Sequence, residues 1–121
     1  MISVLSDHRC ILGEGALWHP ERQSLFWFDI LGQRLFEKAG EDLRFWDFDR
    51  PASAAGWVDR DTLLVATARD LVVFDLESGR AQPLCPLEAD TPANRSNDGR
   101  ADPQGGFWIG TMGFDNEPGA G

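Results

Sequence analysis

Three stretches of this 121-residue chain repeat one pattern, and the repetition limits its fold more than any other feature. Ser24-Leu25-Phe26-Trp27-Phe28-Asp29, Thr62-Leu63-Leu64-Val65-Ala66-Thr67 and Gly106-Phe107-Trp108-Ile109-Gly110-Thr111 each run from a small or polar residue through an apolar stretch to Asp or Thr. They are offset by 38 and 44 residues. A turn precedes each: His19-Pro20-Glu21-Arg22-Gln23, Asp59-Arg60-Asp61, and Asp102-Pro103-Gln104-Gly105. Before each turn lies a short strand candidate, Gly15 to Trp18, Ala54 to Val58, and Gly99 to Ala101. A period of about 40 residues with several strands per unit is the mark of propeller blades. Helical repeats of similar period need apolar residues at i, i+3, i+4 and i+7, and no window here sustains that spacing.

The gaps between copies supply further strands. Gln33 to Glu37 and Leu43 to Phe48 flank Ala39-Gly40-Glu41-Asp42, which has hairpin chemistry. Leu71 to Asp75 leads through Leu76-Glu77-Ser78-Gly79 to Ala81–Leu84, with Gly79 where a positive φ is easiest. The first two units therefore read as four antiparallel strands each, and the third stops after two. Asn94 to Gly99 and Asn116 to Gly121 lack apolar periodicity and read as loops. An aromatic content of 11%, with five Trp and eight Phe, suits packed sheets. Yet a propeller needs at least about four blades to close. Roughly two and a half blades cannot bury their own apolar faces. The reading favoured is the N-terminal part of a longer protein, with the missing blades supplied by the rest of that chain; another copy is the alternative source.

Charge excludes some partners. A formal net charge of −9 argues against nucleic acid, which needs basic side chains against its phosphates, and against anionic membrane surfaces. No apolar run approaches the roughly 18 residues of a membrane span. The N-terminus has no basic region followed by an apolar core, so it does not read as a signal peptide. Cys10 and Cys85 make no disulfide framework and no CxxC, which points to a reducing, cytoplasmic setting.

Familiar catalytic signatures are absent: no G-x-S-x-G, no HExxH, no Walker loop. Of the two histidines, His19 precedes Pro20 and reads as an exposed turn residue. Ser96 has no histidine nearby in sequence to activate it. What remains is Glu14 within Leu12-Gly13-Glu14-Gly15-Ala16-Leu17-Trp18, a carboxylate between two glycines at the start of an apolar strand. The glycines let the backbone pass close to a neighbour and leave the carboxylate uncovered. In a propeller the first strand of each blade lines the central channel. Glu14 opens that strand in the first unit, and Arg95 and Asn97 open it in the third. A carboxylate with an amide oxygen suits a hard divalent cation, and an Arg with an Asn amide suits sugar hydroxyls or a carboxylate. On spacing alone the plainer readings stay open: Glu14 as a solvated turn residue, Asn97-Asp98-Gly99 as only a turn, Arg95 as a surface cation.

Leu12 to His19, Leu25-Phe26-Trp27-Phe28-Asp29-Ile30, Arg95 to Gly105 and Phe107-Trp108-Ile109-Gly110-Thr111-Met112, in that order, resemble the SMP-30/gluconolactonase/regucalcin family. The resemblance implies an all-β, six-bladed β-propeller in the complete protein, with blade 1 at about 14–50, blade 2 at about 51–90 and the start of blade 3 at about 95–121. Residues 1–13 are a candidate closing strand. It also implies one divalent metal ion in the channel (calcium, zinc, magnesium or manganese) and hydrolysis of sugar lactones. By that likeness Glu14 matches a metal ligand, Arg95 and Asn97 match substrate contacts, and Asp115 falls near an acidic substrate-contacting position. The general-base Asp and a further Asn ligand would lie beyond residue 121. The alternatives are a non-catalytic calcium- or ligand-binding propeller, and an inactive truncated fragment.

Overall fold

The computed structural model describes residues 1–121 and contains no helix. None is therefore long and apolar enough to cross a membrane. Ten strands follow in order: β1 Gly13–His19, β2 Ser24–Asp29, β3 Arg34–Ala39, β4 Asp42–Asp47, β5 Ala52–Asp59, β6 Thr62–Thr67, β7 Asp70–Asp75, β8 Ala81–Pro86, β9 Asn94–Ala101 and β10 Phe107–Gly113. They form two four-stranded meanders, β1-β2-β3-β4 and β5-β6-β7-β8, and a two-stranded sheet of β9 and β10. Every neighbouring pair is antiparallel. The first strands, β1, β5 and β9, pack side by side, so the sheets radiate from a common inner edge as blades of a partial propeller.

The core lies between the first two blades. Alternation along β2 sends Phe26 and Phe28 toward the second sheet, where Leu63 and Val65 of β6 and Val72 and Phe74 of β7 meet them. Ala52 and Ala55 keep β5 small where it passes between the sheets. Trp46 and Phe48 close the rim against Phe74, Trp46 edge-on with ring centroids 5.9 Å apart. Full burial of each large apolar side chain contributes about 1.5–3 kcal/mol. The opposite face of the first sheet is aromatic too: Trp27 stacks on Phe36 at 5.4 Å and 9°, and Phe36 meets Phe45. That face is only partly covered, and Phe45 is half exposed.

One expected loop is a strand. Asn94 to Gly99 form most of β9, although no apolar alternation marks them. The strand runs along the inner edge, and its neighbours satisfy it with polar bonds. Ser96 Oγ lies 2.7 Å from Ser53 Oγ of β5, both buried, and also donates to the Ala66 carbonyl at 3.4 Å. Asn116 to Gly121 carry no strand, as expected. Residues 1 to 12 lie outside any strand.

A polar staple joins the β1–β2 turn of the first blade to the β5–β6 turn of the second. Glu37 is 3% exposed, accepts from Arg22 Nε at 2.7 Å and from Ser24 Oγ at 2.8 Å. The same guanidinium donates to Asp61 at 2.7 Å in the second blade.

Candidate functional site

Each inner strand is bulged, β5 twice. In β1, Glu14 pairs with Phe28 and Leu17 with Phe26, so Gly15 and Ala16 together oppose Trp27. In β9, Gly99 pairs with Ile109 and Ser96 with Thr111, leaving Asn97 and Asp98 opposite Gly110. In β5, Ser53 is the extra residue between Ala52 and Ala54. A bulge bends its strand and re-aims the side chains beside it. Gly15 makes the first one feasible: its φ is +65°, and a Cβ there would stand 2.2 Å from the Ser53 carbonyl oxygen. Only glycine lets β1 and β5 approach so closely.

The bulges bring Glu14 and Asn97 to one open groove of about 760 Å³, walled also by Trp18, Trp57 and Arg100. Glu14 is exposed and its carboxylate engages no ion pair or hydrogen bond within the chain. Arg95 is 7% exposed, which removes the surface-cation reading. Its Nη1 donates to the Ser96 carbonyl at 3.0 Å and to Asn97 Oδ1 at 3.1 Å. That bond orients the Asn97 amide, oxygen toward the arginine and NH2 free to donate elsewhere. Asp115 sits apart: it is exposed in the turn after β10 and does not line this groove.

His19 is not an exposed turn residue. It is fully buried, with its ring 5.2 Å from Trp57. Nδ1 accepts from the Arg22 backbone N–H at 3.3 Å, so Nε2 carries the proton and donates to the Asp59 carbonyl at 3.0 Å. Nδ1 is thereby used within the turn of the first blade and Nε2 in joining that blade to the second, and neither is free as a base.

Asp29 had no role in the sequence reading beyond closing a repeat. It is 4% exposed and accepts three backbone N–H bonds, from Ile11, Leu12 and Gly32, each at 3.0 Å. Burial pushes its carboxyl up, but the N–H groups of Leu12, Ile11 and Gly32 outweigh this and hold it below the ordinary range. Asp102 caps the turn of the third repeat, accepting from the N–H groups of Gln104 and Gly106 and from Trp108 Nε1 at 2.9 Å. The repeat signature Asp102-Pro103-Gln104-Gly105-Gly106-Phe107-Trp108 thus builds a hairpin.

Residues 12–121 match the SMP-30/Gluconolactonase/LRE-like region. The chain belongs to that family. Among SMP-30/gluconolactonase-like proteins it is similar to the L-arabinolactonase of Azospirillum brasilense, 40% identical over 119 residues, covering 96% of this chain and 39% of that protein. It is 30% identical to the 6-deoxy-6-sulfogluconolactonase of Pseudomonas putida, covering 84% of this chain and 36% of that one. The crystal structure of a calcium-binding protein, regucalcin, from Agrobacterium tumefaciens superposes with a TM-score of 0.91 at 35% identity, over 94% of this chain and 39% of that one. The chain therefore spans about 40% of the length of these relatives.

Proposed function

We propose that the complete protein hydrolyses a sugar lactone with the help of one divalent metal ion, and that residues 1–121 supply one wall of its site. The observation that carries this is the convergence of Glu14 and Asn97, from bulged strands in different blades, on one groove, with the Asn97 amide held by buried Arg95, which does not itself line the groove. Relatives named L-arabinolactonase and 6-deoxy-6-sulfogluconolactonase support the substrate class.

The donor set fits a hard divalent cation only in part. Glu14 is an uncovered carboxylate suited to calcium, magnesium, manganese or zinc. The Asn97 oxygen is taken by Arg95. A calcium ion wants about six to eight oxygens, so further ligands have to come from blades outside this chain, or from another copy. Once bound, the ion would act as a Lewis acid toward the lactone carbonyl.

This chain's residues would do the rest of what it can offer. The free Asn97 NH2 donates to a hydroxyl or ring oxygen of the sugar, holding the ester carbon in one orientation. Arg95, buried and outside the groove lining, acts on the substrate by holding that amide through Asn97 Oδ1. Removal of a proton from the attacking water falls to an Asp beyond residue 121.

The test is a pair of variants in the complete protein. Glu14→Gln should reduce metal content and lactonase activity together, and Arg95→Ala should lower kcat/KM about 10- to 100-fold with the metal retained. Full metal content in Glu14→Gln would remove the assignment. The calcium-binding description of the Agrobacterium relative favours a second reading, a propeller that binds calcium without turnover. Calcium binding with no hydrolysis across a panel of aldonolactones would select it.

A further inference from the structure

A second cluster of ligand-type side chains stands outside the groove reading. The ring nitrogen of His8, the Cys10 sulfur and a carboxylate oxygen of Asp29 all lie within 4.8 Å of one another. Sequence order explains how they meet. Asp29, at the end of β2, grips the backbone N–H groups of Ile11 and Leu12, so the residues just before them are laid across the edge of the first sheet. His8 and Cys10, two apart in a segment outside any strand, then come to one side, with the His8 ring 4.4 Å from that of Phe36. Both also line an open cavity beside the first sheet.

We propose that His8, Cys10 and Asp29 form a binding site for a zinc-class divalent ion that fastens the N-terminal segment to the first blade. A thiolate with an imidazole and a carboxylate is a borderline-soft set, which favours zinc over calcium or magnesium. Three protein ligands with a fourth position open to water is a common zinc arrangement. Ligand bonds of about 2.0–2.3 Å place tetrahedral donors roughly 3.3–3.8 Å apart, so the cluster must contract by about 1 Å. His8 can supply that movement because it is exposed and belongs to no strand. Asp29 has capacity left. A carboxylate offers about four lone-pair sites, and the Ile11, Leu12 and Gly32 N–H groups take three. Those N–H bonds also fix the carboxylate's orientation, as partners behind a metal ligand do. On binding, the Cys10 proton leaves to solvent and the sulfur donates as thiolate. The donor chemistry differs from that of Glu14, which offers only hard oxygen, so this site stands or falls apart from the lactonase reading.

The experiment is a cobalt(II) titration of the reduced chain, with zinc competition and alkylation of the thiols read by mass spectrometry. Cobalt should give a thiolate-to-metal charge-transfer band at one equivalent, and zinc should abolish it. Zinc should slow alkylation of Cys10 at least roughly tenfold while leaving Cys85 unchanged, because Cys85 is exposed and has no partner ligands. Cys10→Ser should lose the band and Cys85→Ser and Glu14→Gln should keep it. His8→Ala, an exposed change that leaves the core intact, should weaken cobalt binding by at least about tenfold. A chain with no charge-transfer band, a band lost in Cys85→Ser, or equal zinc protection of both cysteines would overturn the proposal.

Discussion

Four charged or ionisable side chains, His19, Asp29, Glu37 and Arg95, are buried because the fold completes their bonds. Glu37 shows the balance most clearly. Burial pushes its carboxyl up, while hydrogen bonds from Arg22 and Ser24 and the charges of Arg22 and Arg44 outweigh it and hold it below its usual value. A carboxyl depressed in the folded state stabilises the protein above its unfolded pKa, and that contribution disappears as pH falls through the folded pKa. Thermal unfolding should therefore show a midpoint that drops below about pH 4.5, the region where free glutamates begin to protonate. Glu37→Gln should flatten that acid limb and cost about 1–3 kcal/mol at neutral pH, measured by urea unfolding. Arg95 and His19 are buried with their N–H groups accepted too, Arg95 by its neighbours Ser96 and Asn97 and His19 by the Asp59 carbonyl 40 residues on.

Strands carry the site through their irregularities. Regular pairing would have sent Glu14 and Asn97 where strict alternation dictates; the bulges in β1 and β9 turn both toward the groove. Gly15→Ala tests this directly. A side chain at φ +65° with its Cβ 2.2 Å from the Ser53 carbonyl oxygen must push β1 away from β5. The expected loss is roughly 2 kcal/mol or more of stability, and in the complete protein metal affinity should fall with it. Ser53→Ala is the milder counterpart. It removes the partner of buried Ser96 and should cost about 1–2 kcal/mol by the same unfolding measurement. Strand boundaries were readable to within a few residues because apolar alternation and turn chemistry are local. β9 was not, because its polar residues are satisfied by Ser53 and Ala66 on the second blade.

At the scale of the molecule, the faces tell where stabilisation is concentrated. The interface of the first two blades is closed around Phe26, Phe28, Val65 and Phe74, whereas Trp108 of the third sheet is 73% exposed. Phe74→Ala should cost about 3–5 kcal/mol, read as a lowered denaturant midpoint. Trp108→Ala should change stability of residues 1–121 little by comparison. Residues 1–121 alone, as a monomer, should show no lactone turnover with any added divalent metal; turnover would mean that one carboxylate and one oriented amide suffice. Family membership and the blade architecture were legible from the order of the repeats and the Leu12–Trp18 and Arg95–Met112 motifs, since both are written in contiguous residues.

The amino-acid sequence by itself determined the period, the antiparallel strands and the apolar faces, because side-chain alternation and turn residues act over a few positions. Tertiary structure decided the rest: which way Glu14 and Asn97 point, that Arg95 orients an amide, that His19 is spent on a carbonyl, and that His8, Cys10 and Asp29 meet. Those outcomes depend on atoms brought together from separate turns and separate blades, and local pattern holds no record of such distances.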